Sequence, residues 1–136
     1  MSEQGDKAFQ EMLDISTDID KAVLFKGNEI IVTNFPESVR QDMVVKAQEL
    51  AGLGDQRAKD MGSSPLTQLM VETGTGSVFL VREAKEDGVG VLATGKKDSR
   101  VGLVFYDMKT CMRDAQDEGP EATPESGAGQ GEAVTE

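Results

Sequence analysis

Apolar residues return along this chain in two rhythms. Between Pro36 and Met61 they recur at helical spacing, whereas on either side they come as short unbroken runs separated by polar turns. Ala8, Phe9, Met12, Leu13 and Ile15 predict a short amphipathic helix, followed by a polar break at Asp18 and Asp20. The runs Ala22-Val23-Leu24-Phe25 and Ile30-Ile31-Val32 predict two strands covered on both faces. Between them, Lys26-Gly27-Asn28-Glu29 predicts a tight hairpin, because Gly and Asn both tolerate positive φ. Pro36 suits the opening of the long helix, with Asn34 close enough to help cap it, and Gly62 suits its end. Gly52 and Gly54 weaken the middle, which predicts a kink or an early end. After the loop Ser63-Ser64-Pro65 come three predicted strands, Leu66–Glu72, Ser77–Glu83 and Val89–Thr94, separated by glycine turns. Val101, Val104, Phe105, Met108, Met112 and Ala115 predict a last helix capped by Asp98 or Ser99. The order α-β-β-α-β-β-β-α with tight turns predicts an α+β fold: a five-stranded antiparallel sheet flanked by helices.

The long helix carries the most information. On a wheel, Val39, Met43, Leu50 and Met61 form one edge of its apolar stripe, and Ala47, Ala51, Gly54 and Ala58 form the other. Large side chains fill a core, while small ones let a second backbone approach. A helix that only covers its own sheet gains little area from a row of small residues. The small edge therefore predicts a helix–helix contact, either with a second copy of the chain or with a helix of its own. Val45 falls outward on the wheel, beside Gln41, Gln48 and Gly52.

Composition narrows the function classes. The chain has 136 residues, the size of one domain, and a formal net charge of −11. That balance argues against nucleic acid and anionic membrane as partners. The absence of His removes the commonest general base and metal ligand. A single cysteine, Cys111, makes no internal disulfide, and no apolar signal region opens the chain, which leads to the expectation of a cytoplasmic protein. Charge is uneven: residues 117–136 hold six acidic and no basic groups, with Val134 as their one large aliphatic. Such a segment buries too little to offset the entropy of ordering and is expected to be a disordered acidic tail on a domain spanning 5–116.

The search for chemistry is thin. Gly74-Thr75-Gly76-Ser77 precedes a strand, so it offers no helix N-terminus to a phosphate, and no Lys-Ser or Lys-Thr pair completes a P-loop. Gly95-Lys96-Lys97 fails likewise. Asp18 and Asp20 lack further acids at loop spacing and read as a solvated linker. Arg40 and Arg57 lie on the long helix, where a surface ion pair is the usual fate. No catalytic set, metal site or cofactor is expected, and the chain is not expected to be an enzyme.

The ordered set of elements resembles the roadblock domain, the family of dynein roadblock light chains and of bacterial regulators of small Ras-like GTPases. The resemblance runs through KAVLFKGNEIIVTNF for the hairpin, VRQDMVVKAQELAGLGDQRAKDMG for the long helix, and VETGTGSVFLVREAKEDGVGVLATGKKDSRVGLVFYDM for the meander and last helix. It covers about residues 5–116, with Gly27 in the first turn, the small-residue helix and Gly102-Leu103 as its most family-like details. Lys96–Arg100 is more charged than the usual pattern. The resemblance implies a roadblock/profilin-like fold and a non-enzymatic homodimer with long helices antiparallel and Leu66–Glu72 paired with its mate. On that reading Ala47, Ala51, Gly54, Ala58, Leu69 and Val71 form the dimer interface, and Arg40, Gln41, Val45 and Gln48 are candidate contacts to a GTPase. A small-molecule sensor module and a structural adaptor are the rival readings. Truncation after Gln116 is expected to leave the melting temperature and oligomeric state unchanged, as differential scanning fluorimetry and light scattering would show.

Overall fold

The computed structural model describes residues 2–116; the expected tail, 117–136, lies outside the described residues. The chain runs α1 (Ser2–Ile15), β1 (Ile19–Lys26), β2 (Glu29–Thr33), α2 (Glu37–Asp60), β3 (Gln68–Glu72), β4 (Gly76–Arg82), β5 (Val89–Lys96) and α3 (Val101–Ala115). All strands pair antiparallel in one sheet of order β2-β1-β5-β4-β3.

Alternation along the strands divides the core into two layers. On one face the row Val23, Leu92, Leu80, Leu69 crosses four strands in register and carries α2. On the other, Ala22, Ala93, Phe79 and Met70 form a matching row under α1 and α3. Phe79 meets Phe105 of α3 edge-on, with ring centroids 5.4 Å apart. The unbroken apolar runs of β1, β4 and β5 follow directly, since each strand is covered on both sides.

Gly27 turns the first hairpin at φ +58°, as the Gly-Asn pair requires. Gly90 serves a different need: it lies opposite Phe25, and a Cβ there would stand 2.6 Å from the Phe25 ring. The ring occupies the space that a side chain would take.

α2 differs from the sequence reading in three ways. It runs through Gly52 and Gly54 as one helix. Asn34 does not cap it; its carbonyl oxygen instead accepts from the Ala22 N–H at 2.8 Å, tying β1 to the end of β2. Its small edge is the core-facing one, with Ala47 and Ala51 buried against Val23, Leu80 and Leu92. The helix stops at Asp60 with Met61 as its C-cap; Gly62 follows at φ +76°, and the Ser63 N–H donates to the Ala58 carbonyl at 2.8 Å.

Asp18 is no solvated linker. It is 5 % exposed, and its carboxylate accepts from the Arg100 backbone N–H at 2.8 Å and from the Arg100 guanidinium at 3.0 Å. Lys96 adds an ion pair at 3.5 Å. The expected caps Asp98 and Ser99 do not cap α3; its N-cap is Arg100, and the carboxylate that satisfies this backbone comes from 82 residues away. An anion at a helix N-terminus is favoured by the aligned peptide dipoles. The Arg100 backbone N–H, then its guanidinium, hold the Asp18 carboxyl below the usual range, at about 2. A carboxylate depressed in the folded state stabilises fully above its unfolded value of about 4 and loses that effect as pH falls toward 2. Asp18→Asn is expected to lower the melting temperature at pH 7 and to flatten its fall between about pH 4 and pH 2. A variant whose acid limb matches the parent's in a pH series of thermal melts would contradict this role.

Candidate functional site

Geometry at α2 is set by four polar ties. At its start, Arg40 donates from Nη2 to the Phe35 carbonyl at 3.0 Å. Along one flank, Gln41 donates to the Asn28 carbonyl at 3.3 Å and Gln48 to the Gly27 carbonyl at 2.6 Å, fastening the helix to the β1–β2 turn. Near its end Asp55 accepts from the Leu66 N–H at 2.8 Å and from the Arg82 guanidinium. That carboxylate fixes α2 against both the entry to β3 and the end of β4.

The opposite flank is apolar and only partly covered. Met43 and Leu50 pack half-buried against the core, while Val39 and Leu53 are exposed, Leu53 to 59 %. Met61, just past the helix, is 80 % exposed. On the sheet below, Leu69 and Val78 are half-buried on this same face, and Val71, two residues beyond Leu69 and paired with Val78, is 40 % exposed. A single exposed aliphatic means little, but several on a helix flank and on the same face of the sheet make a candidate contact surface.

The two sheet edges differ. β2 pairs with β1 through a register shift between Leu24 and Phe25, a bulge that blunts an edge. β3 pairs with β4 without interruption from Gln68 to Glu72, and its other side has no strand neighbour among the described residues. Its open backbone N–H and C=O groups lie beside the exposed apolar residues.

The residues singled out in sequence separate accordingly. Ala47 and Ala51, expected at a dimer interface, are buried in their own chain's core, where they set the distance between α2 and the sheet. Gly54 packs on Leu66, where a Cβ would stand 2.8 Å from Leu66 Cδ1, and Ala58 is half-buried. Leu69 and Val71 lie on the open strand. Gln41 and Gln48 already spend donors on the hairpin, Arg40 is half-buried, and Val45 is 46 % exposed. Arg57 pairs with Asp60 at 3.2 Å. Leu53 is an exposed residue that the wheel does not single out, just outside the buried arc, and Met61, read there as part of the apolar stripe, is exposed as well.

A cleft of about 480 Å³ opens beyond the hairpin turns, lined by Phe25, Gln48, Asp55, Arg82, Glu83 and Asp87 among others. Cys111 is fully enclosed, and burial, with Asp114 nearby, pushes its thiol up to about 12. Such a thiol is unreactive in the folded protein. No helix among the described residues is long and apolar enough to cross a membrane.

Comparison with solved structures identifies the architecture. A roadblock/LC7 domain from Streptomyces avermitilis superposes with a TM-score of 0.70 at 16 % identity, covering 79 % of this chain and 91 % of that one. The gliding protein MglB from Thermus thermophilus matches at 0.70 and 13 % identity, over 84 % of this chain and 87 % of the other. MglB from Myxococcus xanthus matches at 0.67 and 11 % identity, over 83 % and 85 %. No family model matches the sequence, and no curated protein does. The chain therefore has the roadblock fold, recognised at the level of structure.

Asp55→Ala is expected to destabilise the protein by about 1–2 kcal/mol, since it removes a charge-assisted bond to Arg82 and a bond to the Leu66 backbone at a partly exposed site. Chemical denaturation would measure the loss. An unchanged midpoint would show that the ties at Asp55 are dispensable.

Proposed function

We propose that the chain is a non-enzymatic homodimeric regulator that binds a small Ras-like GTPase and modulates its nucleotide cycle. The observation that carries this reading is the coincidence, on one side of the sheet, of the open β3 edge with the exposed apolar flank of α2. Two copies related by a two-fold axis would pair β3 with β3 and bring the flanks carrying Leu53 and Met61 together. The two long helices would then form one continuous platform. An MglB structure with a tetrameric arrangement has the same fold at a TM-score of 0.69 and 13 % identity, which supports self-association of such domains. The resemblance of the sequence to bacterial regulators of Ras-like GTPases supports the choice of partner.

The arginines support regulation without a catalytic contribution. A finger that enters a GTPase site must project freely. Arg40 is folded back onto the Phe35 carbonyl, and Arg57 is paired with Asp60 on its own helix. The outward face with Val45 remains for recognition, and the regulator would act by holding the GTPase in its active geometry. This is a binding surface rather than a reaction centre.

The dimer is tested by Val71→Lys combined with Leu53→Asp. Both residues are exposed, so the monomer's core is untouched. Light scattering at micromolar concentration is expected to give a dimer for the parent and a folded monomer for the double variant. A monomeric parent would remove the proposal. For the partner, Arg40→Ala and Arg57→Ala are expected to weaken binding to a Ras-like GTPase encoded beside this chain while leaving the saturated hydrolysis rate within about threefold of the parent, against the 10³–10⁵-fold loss that removal of a true finger brings. A collapse of that rate with the dimer intact would overturn the mechanism, and absence of binding would turn the reading to an adaptor.

A further inference from the structure

The opposite face of the sheet holds a feature that dimerisation and GTPase binding leave unused. α1 and α3 pack antiparallel: the Gln4 side chain, near the start of α1, donates to the Asp114 carbonyl at the end of α3, at 3.0 Å. Along their seam runs a groove of about 210 Å³, walled by Ala8, Met12 and Ile15 of α1 and by Tyr106, Asp107 and Thr110 of α3. Ile15 and Tyr106 stand at its rim, 66 % and 65 % exposed.

Asp107 sets this groove apart from an ordinary helix seam. The residue is 8 % exposed, and its Oδ2 is buried with no hydrogen-bond partner among the described residues. No ion pair forms to Asp107 among them either. A carboxylate oxygen taken out of water without a partner is unfavourable, so Oδ2 points to a donor that the described residues do not supply. The expected tail cannot supply the charge, since 117–136 contains no basic residue. Glu11 and Asp114 also line the groove, and Asp114 is already engaged by Arg113 at 3.3 Å. The groove is thus apolar at its floor, aliphatic and aromatic at its rim, and negative at its centre.

We infer that the α1–α3 seam docks an amphipathic helix of a partner protein, whose apolar residues fill the groove and whose Lys or Arg reaches Asp107. Two antiparallel helices leave a long channel that a third helix fills, with anchors at i, i+3, i+4 and i+7. The base supplies the charge-assisted bond that the carboxylate lacks, in a desolvated site where such a bond discriminates strongly. Because α2 and β3 lie on the other side of the sheet or at its edge, this partner binds independently of the dimer and of the GTPase.

The test is a displayed library of peptides about 20 residues long, with apolar residues fixed at helical spacing and the rest varied, selected on the full chain. Enriched peptides are expected to carry a Lys or Arg between their apolar anchors and to shift the amide resonances of Ala8–Ile15 and Tyr106–Asp114. Asp107→Asn is expected to weaken them by about thirtyfold or more, and Tyr106→Ser to weaken them with the fold kept. The same Asp107→Asn substitution is expected to raise the melting temperature of the free protein, because it removes an unpaired buried charge. A residue kept for structure would do the opposite, so a lowered melting temperature would overturn the inference. It would also fail if no peptide were enriched, if the winners lacked a base or mapped to α2, or if Asp107→Asn left their affinity unchanged. A change of oligomeric state in Asp107→Asn would assign the groove to a contact between copies and overturn it too.

Discussion

The close approach of α2 to the sheet is the constraint on which the functional surface depends. Ala47 and Ala51 share one buried cluster with Val23, Leu80 and Leu92, and Gly54 sits against Leu66. A larger residue at either alanine would lift the helix off the sheet, and overpacking of this kind costs about 1–3 kcal/mol. Lifting the helix would also detach Gln48 from the hairpin and Asp55 from Arg82. α2 leaves the outer part of β3 uncovered on that face, where Val71 is exposed and Leu69 and Val78 are half-buried. The exposed surface and the tight core contact are therefore one arrangement seen from its two sides.

Much of the fold was legible in the sequence. Unbroken aliphatic runs announced strands covered on both faces, Gly27-Asn28 announced the hairpin, and the period of Val104, Phe105, Met108 and Ala115 announced α3. The direction in which α2 faces was not legible. A wheel ranks residues by angle but contains no sheet, so it cannot tell a small edge pressed against strands from one awaiting another helix. Asp18 was missed for a related reason. Its partners lie at Lys96 and Arg100, and nothing in an eighty-residue separation marks them as neighbours until β1 and β5 pair. Of the charges at Lys96–Arg100, Lys96 and Arg100 pair with that same carboxylate. Nothing in the helical period of α3 singles out Asp107; only burial distinguishes it.

The sheet works as a partition. Helices α1 and α3 with their buried carboxylate occupy one side, and α2 with its bare flank occupies the other. No side chain of β1, β4 or β5 serves both, since alternate residues belong to alternate faces. Contacts made on one side need not disturb the packing of the other.

The unequal edges of the sheet carry a final consequence. Strand addition at β3, as proposed, would extend the sheet by its smooth side and leave the bulged β2 as the new outer border at both ends. An isologous pairing consumes the one inviting edge of each participant, so growth halts at two copies. A chain with two smooth edges would instead add molecules without limit, toward a fibre. On the proposed pairing, the register shift at Leu24 and Phe25, a small irregularity in the hairpin, would discourage further strand addition at the outer border.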